Sequence, residues 1–251
     1  MMFKKKGECC GMVQAIKRQF QVQWKDWAWL NVVIFGCGIV GCVLFYIIAN
    51  TGDERITDWF AMGTVLAGLF SIIFLMVLSV VQMPIHFNIQ IAMGSTRKQF
   101  MVSWLAVGVA EAVVAVLLVM GICFCENKVC AVLYAGLPNE INFLPYLLKY
   151  GVLVAAAAMI LGTFAGALIM RFGRVAFWIL WALWMFICLG LPGMEEAALS
   201  VPDSFYGKIG TVLMQFVRGI SANTWVALAV AGSLAALAGI YGILHKQAVA
   251  G

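Results

Sequence analysis

An all-α integral membrane protein with six transmembrane helices is the fold class this sequence predicts, and three observations predict it. Hydrophobic residues make up 64% of the 251 positions and charged residues only 11%, with a mean hydropathy of +1.01, whereas a soluble domain carries about 25% charge. Apolar runs of about 20 residues recur, the length a helix needs to cross about 30 Å of hydrocarbon. The short alternating segments of a transmembrane β-barrel do not occur. The cations are also unevenly distributed, which fixes the orientation below.

The six spans fall at about Trp27–Ala49, Trp59–Val81, Met101–Cys125, Tyr146–Met170, Val175–Leu191 and Thr224–Leu244, the fifth being the shortest. An even number puts both termini on one side. Eleven of the sixteen Lys and Arg lie on that side and five on the other, so the positive-inside rule makes both termini cytoplasmic. The net charge of +5 then reflects topology, and no nucleic-acid partner is expected. The first apolar run begins near residue 28 and is too long for a signal-peptide core. Trp24, Trp27, Trp29, Trp59, Trp104 and Trp225 stand at span ends, where amphipathic rings favour the interface. Of the eight cysteines, Cys37, Cys42 and Cys188 read as small apolar residues. Cys125 and Cys130 face outside and are candidates to pair, and Cys9-Cys10 reads as two free thiols rather than an acylation or metal site.

The chain divides into a cytoplasmic N-terminus (1–27) and a six-helix membrane domain (28–251). In the first, Val13, Ile16, Phe20, Trp24 and Trp27 recur at three- and four-residue spacing, with Lys17, Arg18, Gln21 and Lys25 elsewhere. That pattern predicts a separate amphipathic helix lying in the inner leaflet. The longest external loop, about 193–223, repeats Phe205, Ile209, Val212, Phe216 and Ile220 helically. It predicts an interfacial or re-entrant helix with Pro202 and Asp203 in its first turn. Gly162 and Gly166 place two small residues one turn apart in the fourth span, which permits close helix approach.

Chemistry-bearing motifs are few. There is no G-x-x-x-x-G-K-[ST] loop, so an ATP-driven mechanism needs its ATPase, with ATP and Mg, on another chain. Two histidines, His86 and His245, leave little from which to build a zinc site or a Ser-His pair. Glu195-Glu196 resembles the paired glutamates of intramembrane CAAX-type proteases, but Ser200 stands where their EExxxR pattern has arginine. Enzymatic activity in this chain is not expected.

Glu111 is the one carboxylate inside a span, roughly 15 Å deep at 1.5 Å per residue from Met101. Its insertion cost of roughly 2.5–3.5 kcal/mol is outweighed by twelve Val, Leu, Ile and Phe residues worth about 0.3–0.6 kcal/mol each. It is either a cavity group that meets polar or cationic substrate or carries a proton, or a neutral acid that locks two helices.

Between the second and third spans the chain reads P-I-H-F-N-I-Q-I-A-M-G-S-T-R-K-Q-F. Pro84 is expected to end the second helix. Ile85, Ile89 and Met93 then share one face of a short interfacial helix, with His86 and Gln90 on another. Gly94 breaks it, Ser95 or Thr96 caps the next helix, and Arg97-Lys98 anchor that helix at the headgroups. A bare connection needs only a few residues. A helix, hinge and cap in their place point to a surface that transmits force.

The M-G-S-T-R-K-Q-F stretch, with the amphipathic start and the six spans, resembles permeases of type-2 ABC exporters, many of which carry G-[AVS]-[ST]-R-K-x-F there. The resemblance implies a permease dimer, of identical or paralogous chains, bound to two ABC ATPase subunits. Ile16, Phe20 and Trp24 would belong to the elbow helix. Ile85, His86, Phe87, Asn88, Ile89, Gln90, Met93, Gly94, Ser95, Thr96, Arg97 and Lys98 would form the coupling element seated on the ATPase. The small external loops are similar to short bacterial permeases that export amphipathic peptides, such as phenol-soluble modulin exporters; lipid-like substrates fit as well. Trp178, Trp181 and Trp184, spaced i, i+3 and i+6, then line a substrate cavity with Glu111, or face lipid. The implied location is a bacterial inner membrane. The alternative is a self-contained secondary transporter, or a vitamin-uptake substrate-binding subunit, centred on Glu111.

Overall fold

The structure, a computed structural model, describes residues 2–51, 59–135, 137, 139, 141–201 and 204–246. Seven helices account for nearly all of them: α1 (Met2–Thr51), α2 (Met62–Ala92), α3 (Arg97–Leu133), α4 (Leu144–Phe172), α5 (Arg174–Ser200), α6 (Phe205–Gly219) and α7 (Ala222–Lys246). α4 and α5 each contain one wider π-type turn, Leu147–Gly151 and Phe186–Gly190. All but α6 contain a stretch long and apolar enough to cross a membrane, so six crossings and a multi-pass membrane protein follow. Pro202 and Asp203 lie outside the described residues.

The N-terminal segment is not a separate helix. Residues 2 to 51 form one uninterrupted helix of 50 residues, because no proline breaks the junction and Gln19 finds partners on α2. The residues packed inward are Ala15, Gln19 and Gln23, whereas Val13, Phe20 and Trp24 of the apolar stripe stay exposed and Ile16 is half-buried.

Pro84 does not end α2 either, and the helix runs on to Ala92. Proline removes the hydrogen bond to the carbonyl four residues back, here that of Val80. Gly166 of α4 sits against that carbonyl, since a Cβ built there would lie 2.8 Å from the Val80 oxygen. One turn earlier, a Cβ on Gly162 would collide with the Met76 carbonyl. The G-x-x-x-G pair thus brings the backbones of α2 and α4 together, where Cα–H groups can serve exposed carbonyls.

Several boundaries move outward from the sequence reading. α3 extends to Leu133, so Glu126 is a buried helical residue and not a loop residue. α5 extends through Ser200, past the expected end at Leu191, because nothing in L-P-G-M-E-E stops it; its proline follows the π-type turn. Leu191–Ser200 then packs antiparallel to α6, Gly210 lying under the Met194 carbonyl. The expected amphipathic helix is therefore present as α6, with Ser204 accepting from the Gly207 N–H at its start and Phe205, Val212 and Phe216 exposed. Cys125 and Cys130 are free, one exposed and one buried on the same helix. Trp59 and Trp104 are buried within the bundle, and Trp104 Nε1 donates to Thr163 Oγ1 at 3.0 Å.

The core has three parts stacked along the bundle. Leu30, Ile34, Ala67, Leu75, Ala112 and Ala155 belong to its middle. Met83, Phe87, Phe100, Trp104, Ile240 and Leu244 fill the end nearest the α2–α3 turn. Phe45, Trp59 and Cys130 close the opposite end. α5 stands apart from this core, with only Ala176 and Ala198 buried among its described side chains.

Candidate coupling surface at the α2–α3 turn

The turn between α2 and α3 is built from local sequence chemistry. Met93 caps α2, and Gly94 follows with φ of +82°, a left-handed conformation that glycine adopts without steric cost. The Gly94 N–H donates to the Ile91 carbonyl at 3.0 Å and the Ser95 N–H to that of Gln90 at 3.0 Å. These two bonds make a Schellman motif, which satisfies the last carbonyls of α2. Thr96 then opens α3 with a capping box. Its hydroxyl accepts from the Gln99 N–H at 3.2 Å, and the Gln99 side chain accepts from the Thr96 N–H at 3.0 Å. Two helix ends are therefore fixed within three residues.

A Cβ at Gly94 would touch nothing within 4 Å, so any substitution there is penalised by the dihedral angle alone. Gly94→Ala is expected to lower stability by about 1–2 kcal/mol, read as a drop in Tm in mild detergent. Gly94→Asn should recover part of the loss, because asparagine tolerates this conformation.

Arg97 has a role other than headgroup anchoring. Its Nη1 donates to the His245 carbonyl at 2.6 Å, on the last turn of α7. A cation at that end complements both the free carbonyls and the helix dipole. Lys98 remains exposed.

The two faces of the α2 end divide as the spacing predicts, but their environments are reversed. Ile85, Asn88, Ile89 and Met93 are exposed, and His86 and Gln90 are buried. The polar face is sealed by α1. The Gln19 amide donates to His86 Nδ1 at 3.0 Å, Gln90 Nε2 donates to Gln19 Oε1 at 2.8 Å, and the Ser95 hydroxyl donates to Gln90 Oε1 at 3.0 Å. Behind them, Phe87 meets Phe100 edge-on at 5.3 Å, and Phe100 stacks on Trp104 at 5.9 Å. A buried polar chain with its members paired is rigid and specific. It holds the apolar ridge Ile85–Ile89–Met93 away from the bundle.

Glu111 is buried at the α1–α3 seam, its carboxyl facing Asp26 and the Trp27 indole of α1. Trp178 and Trp181 pack edge to face at 5.8 Å on α5 and are exposed, with Trp184 half-buried. The structure does not bring these tryptophans to Glu111. Phe20 and Trp24 are exposed on α1, and Phe20 meets Trp27 edge-on at 5.2 Å.

Periodicity of apolar residues overlooks Gln19, Gln23 and Asn31, which line the inward face of α1 with Trp27 at four-residue spacing. That spacing of polar groups is the signal that would have found them. It also overlooks Glu126, whose carboxylate accepts from the Gly63 N–H and Thr64 N–H, both at 2.7 Å, and from the Thr64 hydroxyl at 2.8 Å. Glu126 so caps the N-terminus of α2, where a negative charge is favoured. Comparison with protein-family models, with curated proteins and with solved structures gives no match to this chain.

Proposed function

We propose that this chain is the transmembrane permease subunit of an ATP-driven exporter whose ATPase is a separate polypeptide. The observation that carries the reading is the exposed apolar ridge Ile85–Ile89–Met93, which runs into a Schellman turn and a capping box and is backed by buried aromatic rings. A loop that merely joined two spans would need none of this. On this reading the ridge seats in an apolar groove of the ATPase, on the cytoplasmic side of a bacterial inner membrane. Closure of the ATPase pair displaces α2 and α3 together, because α2 ends and α3 begins at the same rigid corner. A second copy of the chain, or a paralogue, completes the path. An amphipathic peptide or lipid-like molecule is the cargo the apolar α5 face favours, with Phe177, Trp178 and Trp181 all exposed on it.

The test is affinity purification in mild detergent, with identification of co-eluting chains. An ATPase carrying a Walker motif is expected with the wild type. Ile89→Asp removes an apolar contact and puts an unpaired charge in the interface, so its recovery should fall by roughly a hundredfold, about 3 kcal/mol. The variant's Tm should stay unchanged, because Ile89 is exposed. Recovery equal to wild type, or elution without any ATPase, overturns the reading. The buried Glu111 beside Asp26 would then be the place to look for carrier chemistry.

A further inference from the structure

α1 and α3 diverge toward the end of the bundle away from the α2–α3 turn and leave an apolar groove of about 490 Å³ between them. Its size lies within the usual range for small-ligand sites. The walls run along α1 from Phe35 to Tyr46, about 17 Å at 1.5 Å per residue. Gly121 opens its floor, for a Cβ there would meet nothing within 4 Å. The groove is not chemically uniform. Glu126 lines it toward the Tyr46 and Tyr134 end, at 4% exposure, and among the described residues no lysine, arginine or histidine lines it.

The Glu126 carboxylate accepts three hydrogen bonds from α2, one on Oε1 and two on Oε2. A carboxylate has about four acceptor positions, which leaves one on Oε1. The Cys42 thiol stands beside it, and a thiol is a weak donor that an ammonium group displaces readily. The N-terminus of α2 contributes only about half of a positive charge. The Glu126 carboxyl so keeps an acceptor position at one end of a groove that is otherwise greasy.

We propose that this groove binds an alkylammonium amphiphile, its apolar body lying along Phe35, Ile39 and Gly121 and its cationic end at Glu126. An uncharged or anionic chain gains the same apolar contacts but meets an unmatched carboxylate. Binding here requires this chain alone, so it stands or falls separately from the ATPase reading.

The experiment irradiates the purified full-length chain, in phosphatidylcholine vesicles, with a dodecylamine bearing a terminal diazirine, and maps adducts by peptide mass spectrometry. Adducts are expected on the groove walls near Phe35 and Leu117, competed by unlabelled dodecylamine roughly tenfold better than by dodecanol, and still less by dodecanoate. Glu126→Gln should remove the preference for the amine. Gly121→Phe fills the groove from an open position and should abolish these adducts, while those on the exposed α5 surface persist as the measure of bulk labelling. Because Glu126 also caps α2, Gly121→Phe and the wild-type comparison of amine with alcohol decide the matter if the Gln variant fails to fold. Equal competition by dodecanol overturns the proposal, as do groove adducts that survive Gly121→Phe or labelling no denser in the groove than on α5.

Discussion

Gly162→Val is expected to destabilise the bundle by about 3 kcal/mol, seen as a large fall in Tm and loss of the monodisperse species in detergent. The reason is that the added Cβ meets backbone, not a side chain that could rotate away. At Gly162 the obstacles are the Met76 carbonyl and Cα, with Ser79 Cβ at 3.0 Å. At Gly166, four residues on, the Val80 and Ser79 carbonyls stand in the same relation. Accommodating valine means separating α2 from α4, which breaks the contact that also serves the carbonyl released by Pro84. Gly121→Ala is the control, since its Cβ enters open space and alanine is favoured over glycine in a helix by about 1 kcal/mol. A Tm for Gly162→Val equal to that of Gly121→Ala would show that α2 and α4 do not meet at this pair.

The second large effect is expected from Gln19→Leu. Leucine cannot donate to His86 Nδ1 or accept from Gln90 Nε2, so two buried polar atoms lose their partners at once. Each unsatisfied group costs about 1–3 kcal/mol, and together they should lower stability by about 2–6 kcal/mol. The damage should be specific to the network. Changing Gln19, His86 and Gln90 together to leucine removes these fully buried orphans and leaves only the part-buried Ser95 hydroxyl without its acceptor, and such replacements are close to neutral when the partners go as a set. Thermal unfolding of the single and triple variants therefore distinguishes a connected polar unit from three unrelated contacts. If the single variant is as stable as the wild type, or the triple variant is worse than the single, the residues do not act as one unit.

The sequence made the six crossings legible because lipid leaves few alternatives: a run of apolar residues long enough to cross becomes a helix. The α2–α3 corner was legible because its chemistry is local, with Gly94, Thr96 and Gln99 at the offsets that a left-handed stop and a capping box require. What escaped depended on partners far along the chain. An amphipathic segment followed by a span has the same local propensity whether it bends or continues, and α1 continues because Gln19 meets His86 and Gln90 some 67 and 71 residues away. Proline breaks a helix when the freed carbonyl has nowhere to go, and here Gly166 of another helix lies against it. Glu126 looked like a loop residue because it closes an apolar run, yet its partners are the N–H groups of Gly63 and Thr64 on another helix.

The single helix α1 has a mechanical consequence. Fifty residues at a rise of 1.5 Å make a rod of about 75 Å, stiff because its hydrogen bonds are internal and no proline interrupts it. Near its far end Gly41 touches Gly63 so closely that a Cβ on Gly41 would lie 2.6 Å from the Gly63 Cα. At its near end Gln19 grips the α2–α3 corner. A rod held at two such points is a lever with its fulcrum at Gly41. A small displacement of the corner, applied through Gln19 some 22 residues or about 33 Å from the fulcrum, becomes a tilt of the whole rod. The groove beside Gly121 straddles that fulcrum, from Phe35 on one side of Gly41 to Tyr46 on the other, so the tilt would widen one end while it pinches the other.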